Sequence, residues 1–217
     1  MTLHFDYSTI ISAISLAVSI VVICLVYLRP PSITSVLGPK IMLYYKDFDR
    51  ERATFGLQVP VVFLNTAMKT GLVSSAWLLV HREDTPQERY PMEWNKFGKF
   101  TEKGWVFEDE AQPLAVPGNS SVARTICFYW QYDANPKLVL REGVYNVSLC
   151  FQVERRGHLK MKTKSHKMHI SSSQCSLLED KRAKRSSETV YTRLDVEPQA
   201  NQLMTESESI RVFGLTS

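Results

Sequence analysis

The chain has 217 residues, 44% of them hydrophobic, and a net charge of +4, which excludes global electrostatic attraction to nucleic acid or to a membrane surface. The charge is uneven: Arg155 to Arg185 holds ten Lys/Arg against two Asp/Glu, so any basic surface is local. Outside the apolar N-terminal segment and the polar C-terminal tail, about 140 residues remain, enough for one domain with a hydrophobic core.

Residues 1–6, MTLHFD, form an N-terminal flank without Lys or Arg. Residues 7–28 then run for 22 positions without a charge. As a helix they extend ~33 Å, enough to cross a ~30 Å hydrocarbon core. Tyr7 and Tyr27 sit near the two ends, where amphipathic rings favour an interface, and Arg29, Pro30 and Pro31 stop the helix. The segment reads as a transmembrane helix. A cleaved signal peptide would need a basic start, a shorter apolar run and a small-residue cleavage site, and none is present. Arg29, Lys40 and Lys46 follow the span, whereas only His4, Asp6 and the α-amino group precede it. Positive residues beside a span favour the cytoplasm, so the N-terminus is expected outside and the domain inside; in a bacterium the membrane would be the inner one. Ser8, Ser12, Ser15 and Ser19 step by four, three and four along one helix face. Small residues at this spacing let helix backbones approach, which makes this face a candidate homodimer interface. Serines bonded to their own preceding carbonyls are the alternative.

Residues 29–40 read as a linker. From Ile41 the apolar period changes to two. Ile41, Leu43 and Tyr45 alternate with other residues; LQVPVVFL (57–64) is a continuous apolar strand ending at Asn65. GLVSSAWLLV (71–80) follows after a short connection. Residues 94–107 carry Phe97, Phe100, Trp105 and Phe107, broken by Gly98 and Gly104. VARTICFYWQY (122–132), VYNVSLCFQV (144–153) and the alternating stretch about Leu159, Met161 and Thr163 complete about seven strands. The expected fold class is mainly β: an antiparallel sandwich over residues 41–170. Residues 171–217 read as a tail, partly disordered, with a short helix near Gln174 to Lys184.

The stretch Leu140-Arg-Glu-Gly143-Val-Tyr145-Asn-Val147-Ser-Leu149 resembles the corner before the penultimate strand of immunoglobulin-like and fibronectin-III-like domains. The resemblance implies that Gly143 makes the turn and that the Tyr145 hydroxyl bonds back to the backbone. It covers about ten residues and speaks to fold rather than function. Cys150 lies five residues after the tyrosine, not two, so the inter-sheet disulfide of antibody domains is not implied. The stretch from Leu57 to Val80 also resembles a pattern in uncharacterised bacterial membrane-anchored proteins, which implies an accessory β-domain and no activity.

Cys127, Cys150 and Cys175 lie outside the span without CxxC spacing, and unlinked thiols suit a reducing compartment. Cys127 and Cys150 would lie opposite each other if their strands form a hairpin, and on different sheets if the corner reading holds. His166 and His169 are three apart on an expected strand and so face opposite ways. The sequence holds no nucleophile elbow, phosphate loop, dinucleotide fingerprint or HExxH zinc motif. Glu108, Asp109 and Glu110 read as a solvated turn between strands. Asn119 and Asn146 begin sequons that matter only in a eukaryotic secretory lumen. His158, Lys160, Lys162 and Lys164 share one face of a strand. They are the candidate contact with anionic lipid or an acidic partner, against the plainer role of protecting an edge strand. No aromatic residue interleaves with them, so nucleic acid is not an expected partner.

The expected function is that of a non-enzymatic, membrane-anchored β-sandwich module for protein interaction or complex organisation, with no cofactor or metal expected and an unidentified protein partner. An extracytoplasmic ligand- or glycan-binding domain is the alternative, and an unrecognised hydrolase is third.

Overall fold

The computed structural model describes residues 7–27, 29–49, 52–101, 104–131, 133–134, 137–155 and 157–195. The flank with His4 and Asp6, Leu28, Tyr132 and the tail beyond Asp195 lie outside them, as do the side chains of Tyr27, Phe100 and Trp105. One apolar helix, α1 (Tyr7–Tyr27), precedes the β-rich part. Its window Tyr7–Cys24 has a mean hydropathy of 2.2, and none of it is buried against the rest of the chain.

Among the described residues eleven strands follow: β1 (Ile33–Leu37), β2 (Lys40–Asp49), β3 (Arg52–Asn65), β4 (Gly71–Arg82), β5 (Arg89–Thr101), β6 (Gly104–Glu110), β7 (Leu114–Val116), β8 (Ser120–Trp130), β9 (Gly143–Arg155), β10 (His158–Ile170) and β11 (Val190–Arg193). Between β10 and β11 lies helix α2 (Ser172–Ala183). All the pairings are antiparallel, in the order β10-β9-β4-β5-β8-β3-β2-β11, with β1 on β3, β6 on β5 and β7 on β4. The sheet curls into a half-barrel. Its two ends approach at an isolated bridge between Met168 and Leu194.

The period-two segments form strands because alternate residues enter one core. Leu43, Leu57, Leu78, Ile126, Leu149 and Phe151 are essentially buried, and each contributes about 1.5–3 kcal/mol by leaving water. Phe63 of β3 and Phe151 of β9, on strands that are not neighbours, meet edge to face with ring centroids 5.4 Å apart. β1 and β2 run in succession along one edge of β3, pairing Ile33–Leu37 with 61–65 and Met42–Lys46 with 54–58. Pro60 falls at the change of partner, where it needs no ladder hydrogen bond on that side; its carbonyl accepts from Gly38 N–H at 2.7 Å.

The structure changes several expected boundaries. Residues 29–40 are not only a linker: β1 lies within them, with Ile33 and Leu37 in the core. Within residues 171–195 the expected short helix forms as α2, and a strand, β11, follows it. In α2, Ser171 caps the first turn in a capping box with Gln174, and Leu178 is buried. In β11, Val190 packs into the same core. The aromatic stretch 94–107 divides between β5 and β6, with a register shift between Lys96 and Gly98. Glu108, Asp109 and Glu110 lie at the end of β6 rather than in a turn, where Glu108 pairs with Lys99 at 2.8 Å and Glu110 with Lys96 at 2.9 Å.

Candidate functional site

The end of the domain nearest α1 is organised by Asn65, the last residue of β3. Its side-chain oxygen accepts from Ser32 N–H at 3.2 Å and Ala67 N–H at 3.1 Å. Its amide nitrogen donates to the carbonyls of Lys69 at 2.8 Å, Val116 at 3.1 Å and Pro117 at 3.2 Å. The residue is 2% exposed, so these bonds replace water that cannot reach it. One amide thus fixes the chain leaving α1, the β3–β4 connection and the end of β7. The two loops meet closely: a β-carbon on Gly118 would lie 1.7 Å from the Met68 carbonyl oxygen, so only glycine fits.

Strand β10 runs past this end. Lys160, Lys162, Lys164 and His166 pair across the ladder with Val153, Phe151, Leu149 and Val147 of β9, all buried. Directly opposed residues share a face, so the basic residues stand on the core side of the sheet, in line with buried Met168 and Ile170. The other face of β10 carries the exposed Leu159 and Met161. Lys160 and Lys164 are exposed, whereas Lys162 is half-buried and its ammonium donates to the Ile33 carbonyl of β1. His158, at the start of the strand, is exposed. A cavity of about 170 Å³ opens here, lined by Arg29, Pro30, Pro31, Ser32, Val153, Lys160 and Lys162. It brings two of the four expected contact residues together with Arg29; His158 and Lys164 do not line it. A second recess of about 430 Å³ shares Pro30 and Pro31 and includes Lys69 and Glu154.

At the opposite end of β10, His166 Nδ1 pairs with Asp195, which also accepts from Lys167 N–H at 2.6 Å. Burial pulls the Asp195 carboxyl upward, but these two partners outweigh it and hold it below the usual range. His169 lies on the other face of the strand, exposed. Among the described residues, no group of three or more His, Cys, Asp or Glu side chains is placed to hold a metal ion.

The corner residues stand at the start of β9. Tyr145 Oη accepts from Arg141 N–H at 2.8 Å and donates to the Arg141 carbonyl at 3.0 Å. Gly143 has φ +143, in the region that favours glycine, and a β-carbon there would crowd the Arg82 guanidinium at 3.1 Å. On α1, Ser12 Oγ donates to the Ser8 carbonyl and Ser19 Oγ to the Ser15 carbonyl, both at 2.8 Å, so these hydroxyls are satisfied within the helix.

A second buried group lies on the outer face of the sheet, formed by Tyr44, Cys127 and Tyr129. The two phenol oxygens are 3.1 Å apart, and Lys46 Nζ stands 3.8 Å from the centre of the Tyr129 ring. Burial pushes the Cys127 thiol up to about 12 and both phenols above their ordinary range. The cysteines are free; Cys127 on β8 is buried and Cys150 on β9 partly so.

The sequence marks Asn65 only as the end of a strand, and no pattern in it joins Arg29 or Ser32 to the lysines of β10. Ser32 enters through a backbone N–H, which leaves no side-chain pattern to read.

No family model matches the chain, and no curated protein matches it. Similar solved structures include a protein from Archaeoglobus fulgidus, 8% identical with a TM-score of 0.36, over 66% of this chain and 98% of that one. The putative ApaA protein from Bordetella pertussis is 9% identical with a TM-score of 0.37, over 66% and 97%. At these TM-scores the likeness bears on neither fold nor function.

Proposed function

We propose that the chain is a single-pass membrane protein whose β-rich part is an Ig-like sandwich. It serves as a non-enzymatic module for protein interaction or complex organisation on the cytoplasmic side. The observation that carries this reading is α1: Ile11, Leu16 and Ile20 are 63%, 63% and 51% exposed, in a window, Tyr7–Cys24, of which none is buried. Its 21 residues extend ~32 Å, about the thickness of a hydrocarbon core. The sandwich reading draws on two further features. The Tyr145 hydroxyl makes the bonds expected of an Ig-like corner. Phe63 and Phe151 meet across a core between strands that are not neighbours in the sheet. The charge bias of Arg29, Lys40 and Lys46 and the unlinked Cys127, Cys150 and Cys175 favour the cytoplasm.

Two measurements test the reading together. After alkaline extraction of membranes, the full chain should stay in the pellet; release into the supernatant would remove the tether. A reporter active only outside the cytoplasm, fused after Ser217, should be silent. Strong reporter activity would reverse the orientation and put the extracytoplasmic ligand-binding reading in its place.

A further inference from the structure

We propose that the end of the domain nearest α1 rests in the interfacial layer of the bilayer that α1 spans, with Met68, Leu159 and Met161 as its lipid-facing side chains. The inference goes beyond the proposed function and rests on it in one respect, that α1 crosses the membrane. Tyr27 ends α1, and Pro30 and Pro31 follow it by three and four positions. Even a fully extended chain covers at most about 14 Å in four residues. A span of ~32 Å ends close to the edge of a ~30 Å hydrocarbon core, and the headgroup layer beyond that edge is roughly 5–8 Å thick. Pro30 and Pro31 line the recess of about 430 Å³ together with Lys69 and Thr70 of the β3–β4 connection and Gly157 of the β9–β10 turn. The tether is therefore too short to lift this end of the domain more than a few ångströms clear of the headgroups.

The side chains presented there suit that layer. Met68 stands in the β3–β4 connection beside Lys69, with its backbone held against Gly118. Leu159 and Met161 open β10, two and four residues beyond Gly157. Both stand on the outer face of the sheet, opposite Glu154 and Gln152 of β9, and Glu154 lines the recess. Met68, Leu159 and Met161 are 48%, 59% and 48% exposed, and none of them belongs to the core. Single exposed apolar residues are ordinary; three at the end that the span enters make a contact surface. Lys69 and Lys160, both exposed, adjoin Met68 and Leu159 in the chain. Stems of this kind lie along apolar surface while their ammonium groups reach the phosphate layer. The contact differs from the basic face of β10 lying on a charged surface, because that face stands on the core side of the sheet and Leu159 and Met161 on the other.

The test uses the full chain with isotope-labelled methionine methyl groups, in nanodiscs of phosphatidylcholine and phosphatidylglycerol, read by NMR. Leu177→Met supplies a reference methyl on α2, which follows the far end of β10, at a position 45% exposed. A water-soluble gadolinium chelate should relax the reference methyl strongly, and Met68 and Met161 only to the level of buried Met168. A lipid carrying a nitroxide just below its headgroup should do the reverse, broadening Met68 and Met161 and sparing the reference. Leu159→Asp should raise the chelate effect on Met161 toward that on the reference. Leu159 lies outside the core, so an unchanged thermal midpoint separates lost docking from lost folding. Relaxation of Met68 and Met161 by the chelate as strong as that of the reference overturns the proposal. Protection from the chelate without broadening by the nitroxide lipid overturns the bilayer as the occupant and gives the surface to a second copy or to another part of the chain. Alkaline extraction separates this proposal from the one it rests on: a chain that stays in the membrane pellet while its methyls are open to the chelate has lost only the docking, whereas release into the supernatant removes the tether itself.

Discussion

The hydroxyl of Tyr145 is satisfied twice by one residue, as acceptor from the Arg141 N–H and donor to the Arg141 carbonyl. Tyr145→Phe removes both bonds while keeping the ring in the core. A hydrogen bond of this kind contributes about 0.5–1.5 kcal/mol, and more where a buried partner is left without water. The variant should therefore unfold at a lower temperature than the wild type in detergent; coincident midpoints would mean that the hydroxyl is idle. Cys127 gives a prediction of opposite character. Its thiol is held protonated by burial, with a pKa near 12 against an ordinary 9.0. The folded state thus binds the proton more tightly than the unfolded chain. The stabilising difference is fully present below about pH 9 and is lost as pH rises toward 12. Tyr44 and Tyr129 act in the same direction. Denaturant midpoints should fall as pH climbs above about 9, and Cys127→Ala should shallow that fall. An unchanged slope in the variant would show that the thiol does not titrate with unfolding. Because the thiolate is the reactive form, Cys127 should also alkylate far more slowly in the folded chain than after denaturation.

Among the elements, the long apolar strands β3, β4, β8 and β9 were legible in the sequence because their inward positions repeat at two. β1 was hidden. Its inward residues are Ile33, Ser35 and Leu37, only two of them apolar, and it sits between Pro30–Pro31 and Gly38–Pro39. β11 was hidden for a related reason: it is four residues long. α2 was legible as a short helix near Gln174 to Lys184, though it buries only Leu178. Short elements that lean on an existing core need few apolar positions and leave a weak pattern. The basic stripe of β10 was legible as one face, because alternation sets parity. Which face met the core was not, since Leu159 and Met161 on the other side are the more apolar pair and yet lie exposed. The partner strand decides it, through Val153, Phe151 and Leu149. The helix-proximal site was legible only in its lysines, because Asn65 organises it through backbone groups. Asn65→Ala leaves two N–H groups and three carbonyls without their partner. At about 1–3 kcal/mol per buried group left unsatisfied, and with some groups regaining water, the loss should be on the order of 3 kcal/mol. Thermal unfolding of the full chain measures it, and a shift within error of zero would deny Asn65 its organising role.

If α1 spans a bilayer as proposed, its serine face sets how it would meet a second copy of the chain. Ser12 and Ser19 bond to carbonyls of their own helix, so these two hydroxyls need no partner across a helix contact. A small face favours close approach of two helices through packing, without requiring hydrogen bonds between them. At ~100° per residue the face traced by Ser8, Ser12, Ser15 and Ser19 continues to Val22 and Val26, while Cys24 lies roughly 140–160° away. If two copies pack through the serine face, a cysteine at position 26 lies near its counterpart and the native Cys24 does not. A disulfide requires the two α-carbons within about 7 Å, so oxidative crosslinking reads the face directly. In membranes, Val26→Cys combined with Cys24→Ala should crosslink to a dimer, whereas the wild type should stay monomeric on the same gel. Ser15→Leu added to the crosslinking variant should reduce the yield, because a bulky side chain at the centre of the contact separates the backbones. Crosslinking through Cys24 at equal or greater yield would place the interface on the opposite side of α1 and set the serines aside as residues satisfied within their own helix.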